Sequence, residues 1–356
     1  MGQMPPEMAN WGAPSDTARP FLHILAQAAR ACGAQLLMEP RFGHVGCIVH
    51  ADGRRQMIFG NGLGLNSDAA AALAADKTYA CDVLAASGLP VPAGVLLVSE
   101  RYRQSLGLKN AATAAALPDP DVGLRFAETV GYPVFVKPNK GAEGAGVSCA
   151  RGPDELSADI AHLMQTETHL RIEAACPGRD VRVLVLDGQV RAAYERRALS
   201  VVGDGANSLD VLLAARLGEL AAAHRGAKLA VDDPRIARTL SSAGLDLSSV
   251  PARGAEVAVL PGANLSTGGQ LRDVSDTLPA DTADMAVAAA GALGLRLAGV
   301  DLLLPHAELM PERGVVLEVN SAPGLDFYAG ASSAAAARSA ALVTDAVTRW
   351  RDRIDP

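Results

Sequence analysis

A lysine and a glycine-rich segment stand close together near the middle of the chain. Lys137 ends a run of strand-forming residues before Pro138, and residues 141–147 read Gly-Ala-Glu-Gly-Ala-Gly-Val. Glycines let a loop fold over a ligand and point backbone N–H groups at it, and the lysine adds a positive charge, so both features suit phosphate oxygens. The loop alone is equally compatible with an ordinary hairpin beside a surface lysine. It lacks the Gly-Lys-Ser/Thr ending of a Walker A motif.

Three oxygen-bearing side chains form a second candidate group much later in the chain. Glu318 and Asn320 stand at positions i and i+2 of the apolar segment 314–320, which as a strand places both on one face. Asp301 lies in another apolar segment, 299–304, and neither segment contains lysine or arginine. Because an unpaired buried carboxylate is costly, these acids predict a hard cation such as Mg²⁺, whose usual ligands are carboxylate and amide oxygens. The alternative is that they accept hydrogen bonds from a nearby loop.

The segments around these residues predict a mixture of helices and hairpin-connected strands. Strands are expected over 181–186 and 189–194, joined at Asp187-Gly188, a dipeptide typical of tight hairpins. An Ala-rich stretch that opens at Asn66-Ser67-Asp68 predicts one continuous helix to Ala86. Hairpins in place of strictly alternating strand–helix–strand units indicate an α+β fold.

The composition of the chain indicates which binding partners and which cellular compartment to expect. The 356 residues are 49% hydrophobic and 20% charged, which is typical of a folded chain, and the net charge of −7 argues against a broad nucleic-acid surface. Five cysteines without a CxxC pair indicate reduced thiols. The N-terminus does not resemble a signal peptide, and the apolar stretch 285–304 is interrupted by charges. We therefore expect a cytoplasmic protein with no membrane or nucleic-acid partner.

The lysine, the glycine-rich loop and the Asp…Glu-x-Asn pattern occur in the order seen in the ATP-grasp superfamily. The sequence is most similar to the ATP-grasp domain of cyanophycin synthetases, and more distantly to glutathione synthetases and D-alanine–D-alanine ligases. Segments 201–205 (Val-Val-Gly-Asp-Gly) and 263–269 (Ala-Asn-Leu-Ser-Thr-Gly-Gly) are typical of the cyanophycin branch. The other matching segments are 75–78, 88–92, 132–138, 141–147, 178–186 and 318–324.

The resemblance implies an ATP-grasp fold of three subdomains that hold the nucleotide between two sheets. The expected boundaries are 1–88 for an N-terminal subdomain, 89–176 for a central subdomain that grips the nucleotide, and 177–356 for a C-terminal subdomain with a lid segment and the metal site. The implied activity joins a carboxylate to an amine through an acyl-phosphate, with release of ADP and phosphate. The cofactors would be ATP and Mg²⁺, with Mn²⁺ as an alternative metal. The substrates would be amino acids or small peptides, and homodimers are common among the relatives.

The resemblance also implies roles for individual residues. Asp301, Glu318 and Asn320 would hold the metal. Arg182 and Asn264 would face the γ-phosphate and the acyl-phosphate, although Arg182 could also be an exposed strand position. Arg196 and Arg197 are candidates for orienting the substrate carboxylate, but neighbours on a strand cannot both point the same way. The nucleotide would contact Lys77, Lys137, Gly141, Glu143, Gly144, Ala145, Gly146, Val147, Glu173, Ala174, Ala175, Cys176 and Asp180.

The sequence departs from the cyanophycin synthetases in ways that affect the expected substrate. Those enzymes carry a further Mur-ligase-like domain and a longer N-terminal region, so we expect no second ligation and a small substrate instead of a long polymer. Ala145 stands where relatives often place a basic residue. Two other functions stay open: an ATP-grasp phosphotransferase, and a non-catalytic nucleotide-binding protein. Retention of Lys137, Asp301, Glu318 and Asn320 together argues against the latter.

Overall fold

The computed structural model describes residues 10–119, 121–141, 144–222, 229–305 and 314–352. The helices are α1 (Pro20–Ala31), α2 (Asp68–Ala75), α3 (Lys77–Ala86), α4 (Glu100–Gly107), α5 (Ala111–Ala115), α6 (Val122–Val130), α7 (Pro153–Leu163), α8 (Leu209–Ala222), α9 (Pro234–Ser242), α10 (Ala280–Ala292), α11 (Asp326–Ala329) and α12 (Ser333–Arg351). The strands are β1 (Gln35–Met38), β2 (Val45–Val49), β3 (Arg55–Phe59), β4 (Gly94–Val98), β5 (Val134–Pro138), β6 (Ser148–Ala150), β7 (His169–Ala174), β8 (Arg179–Leu186), β9 (Gln189–Arg197), β10 (Ser200–Val202), β11 (Glu256–Ala258), β12 (Gln270–Asp273), β13 (Leu297–Leu304) and β14 (Val315–Asn320).

Within the described residues the strands form antiparallel sheets. A three-stranded sheet has the order β1-β2-β3, a four-stranded sheet β4-β7-β5-β6, and a five-stranded sheet β12-β9-β8-β13-β14, while β10 and β11 form a separate pair. The predicted α+β class is confirmed. The hairpin between β8 and β9 turns at Asp187 and Gly188, both with positive φ (47° and 72°), as a tight turn at this dipeptide requires. None of the described helices combines the length and apolar character needed to cross a membrane.

The Ala-rich stretch after Ser67 forms two helices, so the prediction of one continuous helix is wrong. Asp76 leaves the helical conformation (φ −96°, ψ 101°), and its carboxylate accepts a hydrogen bond from the N–H of Tyr79 at the start of α3. Ser, Asp and Asn favour such capping conformations over helix interiors. The Ala-rich composition hid this break. As a result Lys77 becomes the first residue of α3 and not a mid-helix residue.

Asn139, just after β5, fixes the start of α3. Its backbone oxygen accepts from the Lys77 N–H (3.0 Å), and its Oδ1 accepts from the N–H and the hydroxyl of Thr78 (3.0 and 2.7 Å). These bonds satisfy donors that every helix N-terminus leaves without an intrahelical partner. They hold α3 against the base of the glycine-rich segment, which brings Lys77 close to Gly141.

The hydrophobic cores show how the N-terminal residues pack against the rest of the protein. One core combines side chains of α1 and the first sheet with Leu184, Tyr194 and helix α12, and another combines α2 and α3 with β8, β13 and α10. The four-stranded sheet has a core of its own with α6 and α7. Residues 199–260 contribute a further small core around α8 and α9. Segment 20–86 therefore packs on the five-stranded sheet and shares its cores, and the subdomain boundary near residue 88 remains a prediction.

Asn66 offers a test of this integration. Its Oδ1 accepts from the N–H groups of Arg296 and Leu297 (2.8 and 3.1 Å), and its Nδ2 donates to the carbonyls of Leu297 and Ser321 (both 2.8 Å). Asn66→Ala leaves these groups unpaired, and we expect a loss of about 2–3 kcal/mol in the free energy of unfolding measured with urea. Asn110→Ala, which removes an exposed helix cap, is the control and should cost about 1 kcal/mol. Equal losses would show that Asn66 does not anchor the N-terminal segment.

Candidate active site

A cleft of about 1030 Å³ lies between the four-stranded and the five-stranded sheets. It is lined by residues from both sheets, from the glycine-rich segment and from residues 258–267. Gly146 and Ala175 are not among its lining residues, and Glu143 lies outside the described residues. The predicted site residues that line the cleft are Lys77, Lys137, Gly141, Gly144, Ala145, Val147, Glu173, Ala174, Cys176, Asp180, Arg182, Arg196, Arg197, Asn264, Asp301, Glu318 and Asn320.

One face of the five-stranded sheet carries a row of polar side chains. Glu318 lies opposite Asp301, Asp301 opposite Arg182, and Arg182 opposite Tyr194 across β14, β13, β8 and β9. Directly opposed residues in antiparallel strands point to the same face. Asn320 is two residues from Glu318 and joins this face, as its spacing predicts. The strand register thus brings these five residues, which are separated along the chain, onto one polar surface.

Asp301 is paired with two arginines, which corrects the expectation that its charge has no cationic neighbour. Its carboxylate accepts from Arg182 Nε (2.5 Å) and Nη2 (2.6 Å), and Arg196 Nη2 lies 3.1 Å away. The cations come from β8 and β9, so inspection of the acid's own strand could not find them. Burial alone would raise the pKa of Asp301, but the charges of Arg182 and Arg196 outweigh burial and hold that pKa below its usual range. A metal ion is therefore not needed to compensate this carboxylate.

Asp180 extends the same network. Its Oδ1 accepts from Arg196 Nε (2.9 Å) and Nη2 (2.6 Å). Burial, together with the nearby negative charge of Asp301, raises the pKa of Asp180 to about 6 despite the attraction of Arg196. Arg196 lowers the pKa of both carboxylates, but at Asp180 burial outweighs its effect.

Arg196 and Arg197 point to opposite faces of β9. Arg196 is buried in the network on the cleft face, whereas Arg197 donates its Nε to Glu195 Oε1 (3.0 Å) and is 58% exposed at the side chain. Glu195 is also paired with Arg179 and Arg272 (3.3 and 2.5 Å). Arg197 reaches only the rim of the cleft.

The opposite wall of the cleft holds a buried cluster on β5 and β7. Lys137 Nζ lies 2.5 Å from Glu173 Oε1, and Arg171 Nε donates to Glu173 Oε2 (3.0 Å). All three side chains are almost fully buried. Both carboxylate oxygens of Glu173 are thus engaged. With two cations around one anion, this wall keeps an uncompensated positive charge that favours an anion in the cleft.

Lys77 connects the two walls. Its Nζ donates to the carbonyl of Gly141 (2.9 Å) and lies 3.5 Å from Glu318 Oε1. At Gly144, where φ is +70°, a Cβ would stand 2.3 Å from Asn264 Nδ2, so the amide of Asn264 packs directly on the glycine backbone. The glycine-rich segment is therefore held between α3 and the turn that contains Asn264.

Sequence analysis missed three residues that shape the cleft: Arg171, Asn139 and Tyr194. Arg171 stands two positions before Glu173 on the same strand, so the i, i+2 rule that paired Glu318 with Asn320 could have found it. Asn139 follows Pro138 and reads as an ordinary loop residue. Tyr194 is buried, stacks on Tyr328 and lies opposite Arg182, a contact that depends on strand register. No local signal marks it.

Comparison with known proteins identifies the family. Residues 87–203 match the family model described as D-ala D-ala ligase C-terminus. The chain is 30% identical over 280 residues to cyanophycin synthetase of Trichormus variabilis, covering 77% of this chain and 29% of that protein. It is 27% identical over 264 residues to the glutathione biosynthesis bifunctional protein GshAB of Streptococcus mutans, covering 70% of this chain and 32% of that protein. The chain belongs to the ATP-grasp ligases.

This ATP-grasp chain spans about three tenths of the length of the curated relatives that it matches. The crystal structure of a bifunctional glutathione synthetase from Pasteurella multocida shares its fold, with a TM-score of 0.51, 20% identity, and coverage of 85% of this chain and 40% of that one. The resemblance inferred from the sequence is thereby confirmed. ATP-grasp ligases use ATP, and most of the site residues named from the resemblance line the cleft between the two sheets.

The Lys137–Glu173–Arg171 cluster gives a prediction about stability. Lys137→Met leaves one buried cation paired with one anion, so we expect a loss of only about 1 kcal/mol in unfolding free energy. Glu173→Ala leaves two buried cations without a counterion, and the expected loss is about 3–5 kcal/mol. Urea titration of both variants checks the order. A larger loss for Lys137→Met would mean that the excess charge is not at this wall.

Asp180 gives a prediction about pH. Because its folded-state pKa is raised to about 6, the folded protein holds this proton when the unfolded chain has lost it. The stabilisation is present in acid and is lost as pH rises through about 6. Asp180→Asn cannot ionise, so the unfolding free energy of the original protein minus that of Asp180→Asn should fall by roughly 2–3 kcal/mol between about pH 4 and pH 7. Asp82→Asn, at an exposed position of α3, is measured in parallel as the control for loss of a surface carboxylate. A flat curve for both variants would contradict the burial of the Asp180 charge.

Proposed function

We propose that this chain catalyses ATP-dependent ligation of a carboxylate to an amine, with ADP and phosphate as products. The observation that carries the proposal is the position of Lys137 and the glycine-rich segment on one wall of a cleft whose other wall presents Asp301, Glu318 and Asn320. A triphosphate placed between them meets a cationic wall on one side and oxygen ligands on the other. Sequence neighbours alone could not supply this arrangement.

The residues on the cationic wall would bind the phosphates. Lys137 carries the charge that Glu173 leaves uncompensated, and the two loop glycines that line the cleft, Gly141 and Gly144, let backbone N–H groups approach the phosphate oxygens. Lys77 lies between the loop and Glu318 and can exchange these contacts for phosphate oxygens. Such fixed donors and charges stabilise a transferring phosphoryl group without further reorganisation.

The residues on the opposite wall fit Mg²⁺. Glu318 has 27% of its side chain exposed to the cleft, and its ion-pair partner Lys77 lies 3.5 Å away. The Asn320 Nδ2 faces Asp301 at 3.5 Å, which leaves the amide oxygen for another partner. Among the described residues no cluster of three or more His, Cys, Asp or Glu could hold a metal, so the Asn320 amide is part of the proposed donor set. Glu318, Asn320 and a remaining lone pair of Asp301 would hold the ion, which when bound neutralises phosphate charge.

The substrate carboxylate would occupy the cleft near Arg182 and Asn264. Its oxygen attacks the γ-phosphorus and forms a P–O bond while the bond to the ADP oxygen breaks. The amine nitrogen then forms a bond to the acyl carbon, the C–O bond breaks, phosphate departs with the electron pair, and the amine proton passes to phosphate or solvent. The acyl-phosphate must be protected from water. The loop 141–147 and the segment from about 195 to 270, which contributes a core of its own, are proposed as the lids.

We propose amino acids or small peptides as the substrates, because the chain is similar to cyanophycin synthetase and to the glutathione biosynthesis bifunctional protein GshAB. We also propose a homodimer, because homodimers are common among the relatives. Light scattering after size-exclusion chromatography measures the molar mass and so tests this oligomeric state. The ligase is favoured over a phosphotransferase because residues 87–203 match a ligase family model and the chain is similar to cyanophycin synthetase over 280 residues.

The decisive experiment incubates the protein with ATP, Mg²⁺ and pooled amino acids, and follows phosphate release together with mass spectrometry of the products. Phosphate release that depends on an amine and yields an amide supports the ligase. ADP formation without amine dependence indicates the phosphotransferase. Absence of nucleotide binding rejects both enzymatic functions.

Glu318→Gln tests the metal-binding wall. The amide keeps the shape of the side chain but removes the charge that attracts Mg²⁺, so we expect turnover to fall by about a hundredfold or more with the melting temperature retained. Glu128→Gln, on an exposed position of α6, is the matched control and should keep full turnover. Unchanged turnover in Glu318→Gln would show that the metal assignment is wrong.

A further inference from the structure

A second cavity of about 440 Å³ adjoins the cleft on the far side of the glycine-rich segment. Its walls come from that segment, from β6 and α7 of the central sheet region, and from α9. Ala145, Val147, Ser266 and Thr267 line both spaces, so a ligand in the cavity lies next to the loop assigned to the phosphates. The volume falls within the usual range for small-ligand sites, roughly 300–1000 Å³.

The cavity walls carry more cationic than anionic side chains. Arg151, Arg235 and Arg238 line it together with one carboxylate, Asp159. Arg238 is paired with Asp159 (3.0 Å), and Arg235 with Asp233 (2.8 Å). In the part of the chain that the structure describes, no carboxylate lies within ion-pair distance of the Arg151 guanidinium. One cationic group in the wall is thus available for an anion.

Two further features of β6 indicate a polar ligand. The Ser148 Oγ is buried and has no hydrogen-bond partner among the described residues, although buried hydroxyls are nearly always satisfied. In addition, β6 is the edge strand of the four-stranded sheet, and an edge strand offers backbone N–H and C=O groups to a bound chain. Ser148 and Cys149 of β6 line the same cavity as Arg151.

We propose that this cavity binds the amine substrate as a carboxylate-bearing amino acid, with its carboxylate on Arg151 and a hydrogen bond to Ser148. The proposal rests on the ligase function proposed above and assigns a place to the second substrate. Arg151 directly follows β6, and Ala145 and Val147 line both the cavity and the cleft, so the amino end would lie on the side of Ala145 and Val147. A guanidinium–carboxylate contact is among the stronger polar interactions available.

Two cysteines serve as reporters of occupancy. Cys149 lines the cavity and Cys176 lines the cleft, and both thiols are free. Burial raises the pKa of each thiol, so alkylation by iodoacetamide is measured at alkaline pH, with the modified peptides quantified by mass spectrometry. The probes are L-alanine, L-aspartate and L-lysine, with L-alaninamide as the analogue that lacks a carboxylate.

At least one of the three amino acids should slow Cys149 alkylation about tenfold at saturation, and alaninamide should not. Arg151→Gln should raise the half-protecting concentration about tenfold, the value of one charge-assisted hydrogen bond. Ser148→Ala should raise it by a smaller factor. Arg125→Gln, an exposed arginine of α6 that is paired with Asp119 in the same part of the chain, is the matched control and should leave it unchanged.

Three results would overturn the proposal: equal protection by alaninamide, unaltered protection in Arg151→Gln, or protection of Cys176 in place of Cys149. Protection of Cys149 by none of the three amino acids would also overturn it. The assay needs no turnover and is therefore separate from the ligase test. A protein that shows amine-dependent amide formation without Cys149 protection keeps the proposed function and loses this cavity, whereas Cys149 protection without ATP turnover has the reverse meaning.

Discussion

The carboxylate of Asp301 lies in the middle strands of the five-stranded sheet with only 3% of the residue exposed, and its charge must be compensated there. Arg182 on the neighbouring strand donates hydrogen bonds to both carboxylate oxygens, and Arg196 on the next strand forms an ion pair with the same carboxylate. Loss of one partner of a buried pair leaves an uncompensated charge, which is far more costly than loss of an exposed pair. The network therefore supports the register of β13, β8 and β9, and the pairing of β14 with β13 then places Glu318 beside Asp301 on the cleft face.

The two walls of the cleft differ in charge balance. The face of the five-stranded sheet carries three carboxylates and three cations: Asp301, Asp180 and Glu318 with Arg182, Arg196 and Lys77. Across the cleft, Glu173 is the single carboxylate beside two cations, Lys137 and Arg171. A polyanion gains attraction from the second wall only. A divalent cation on the sheet face would restore attraction there, since Lys77 is then released from Glu318. The proposed Mg²⁺ and triphosphate thus support each other's binding, in agreement with the preference of phosphoryl-transfer sites for metal-neutralised phosphate.

The parts of this site that the sequence could predict are those set by local periodicity. The i, i+2 spacing of Glu318 and Asn320, the opposite directions of Arg196 and Arg197, and the turn at Asp187-Gly188 follow from strand geometry alone. The partners of Asp301 do not, because strand register is a tertiary property and Arg182 is 119 residues away along the chain. The break at Asp76 could not be predicted because its Ala-rich neighbours favour helix. The break is stabilised by hydrogen bonds to Asn139, which lies in a distant segment of the chain. The helices of residues 20–86 also share cores with strands near the C-terminus, which composition could not reveal.

The glycine-rich segment has a consequence for the order of events. Ala145 and Val147 line both the cleft and the smaller cavity, so any movement of this backbone toward phosphate changes the wall of the second space. The segment is held by Lys77 through the Gly141 carbonyl and packs against Asn264 at Gly144. Phosphates that attract Lys77 would weaken the first contact and let the segment settle on the triphosphate. ATP binding would then move the wall that the cleft and the cavity share, and an amine already held in the cavity would face an acyl-phosphate that the segment shields from water.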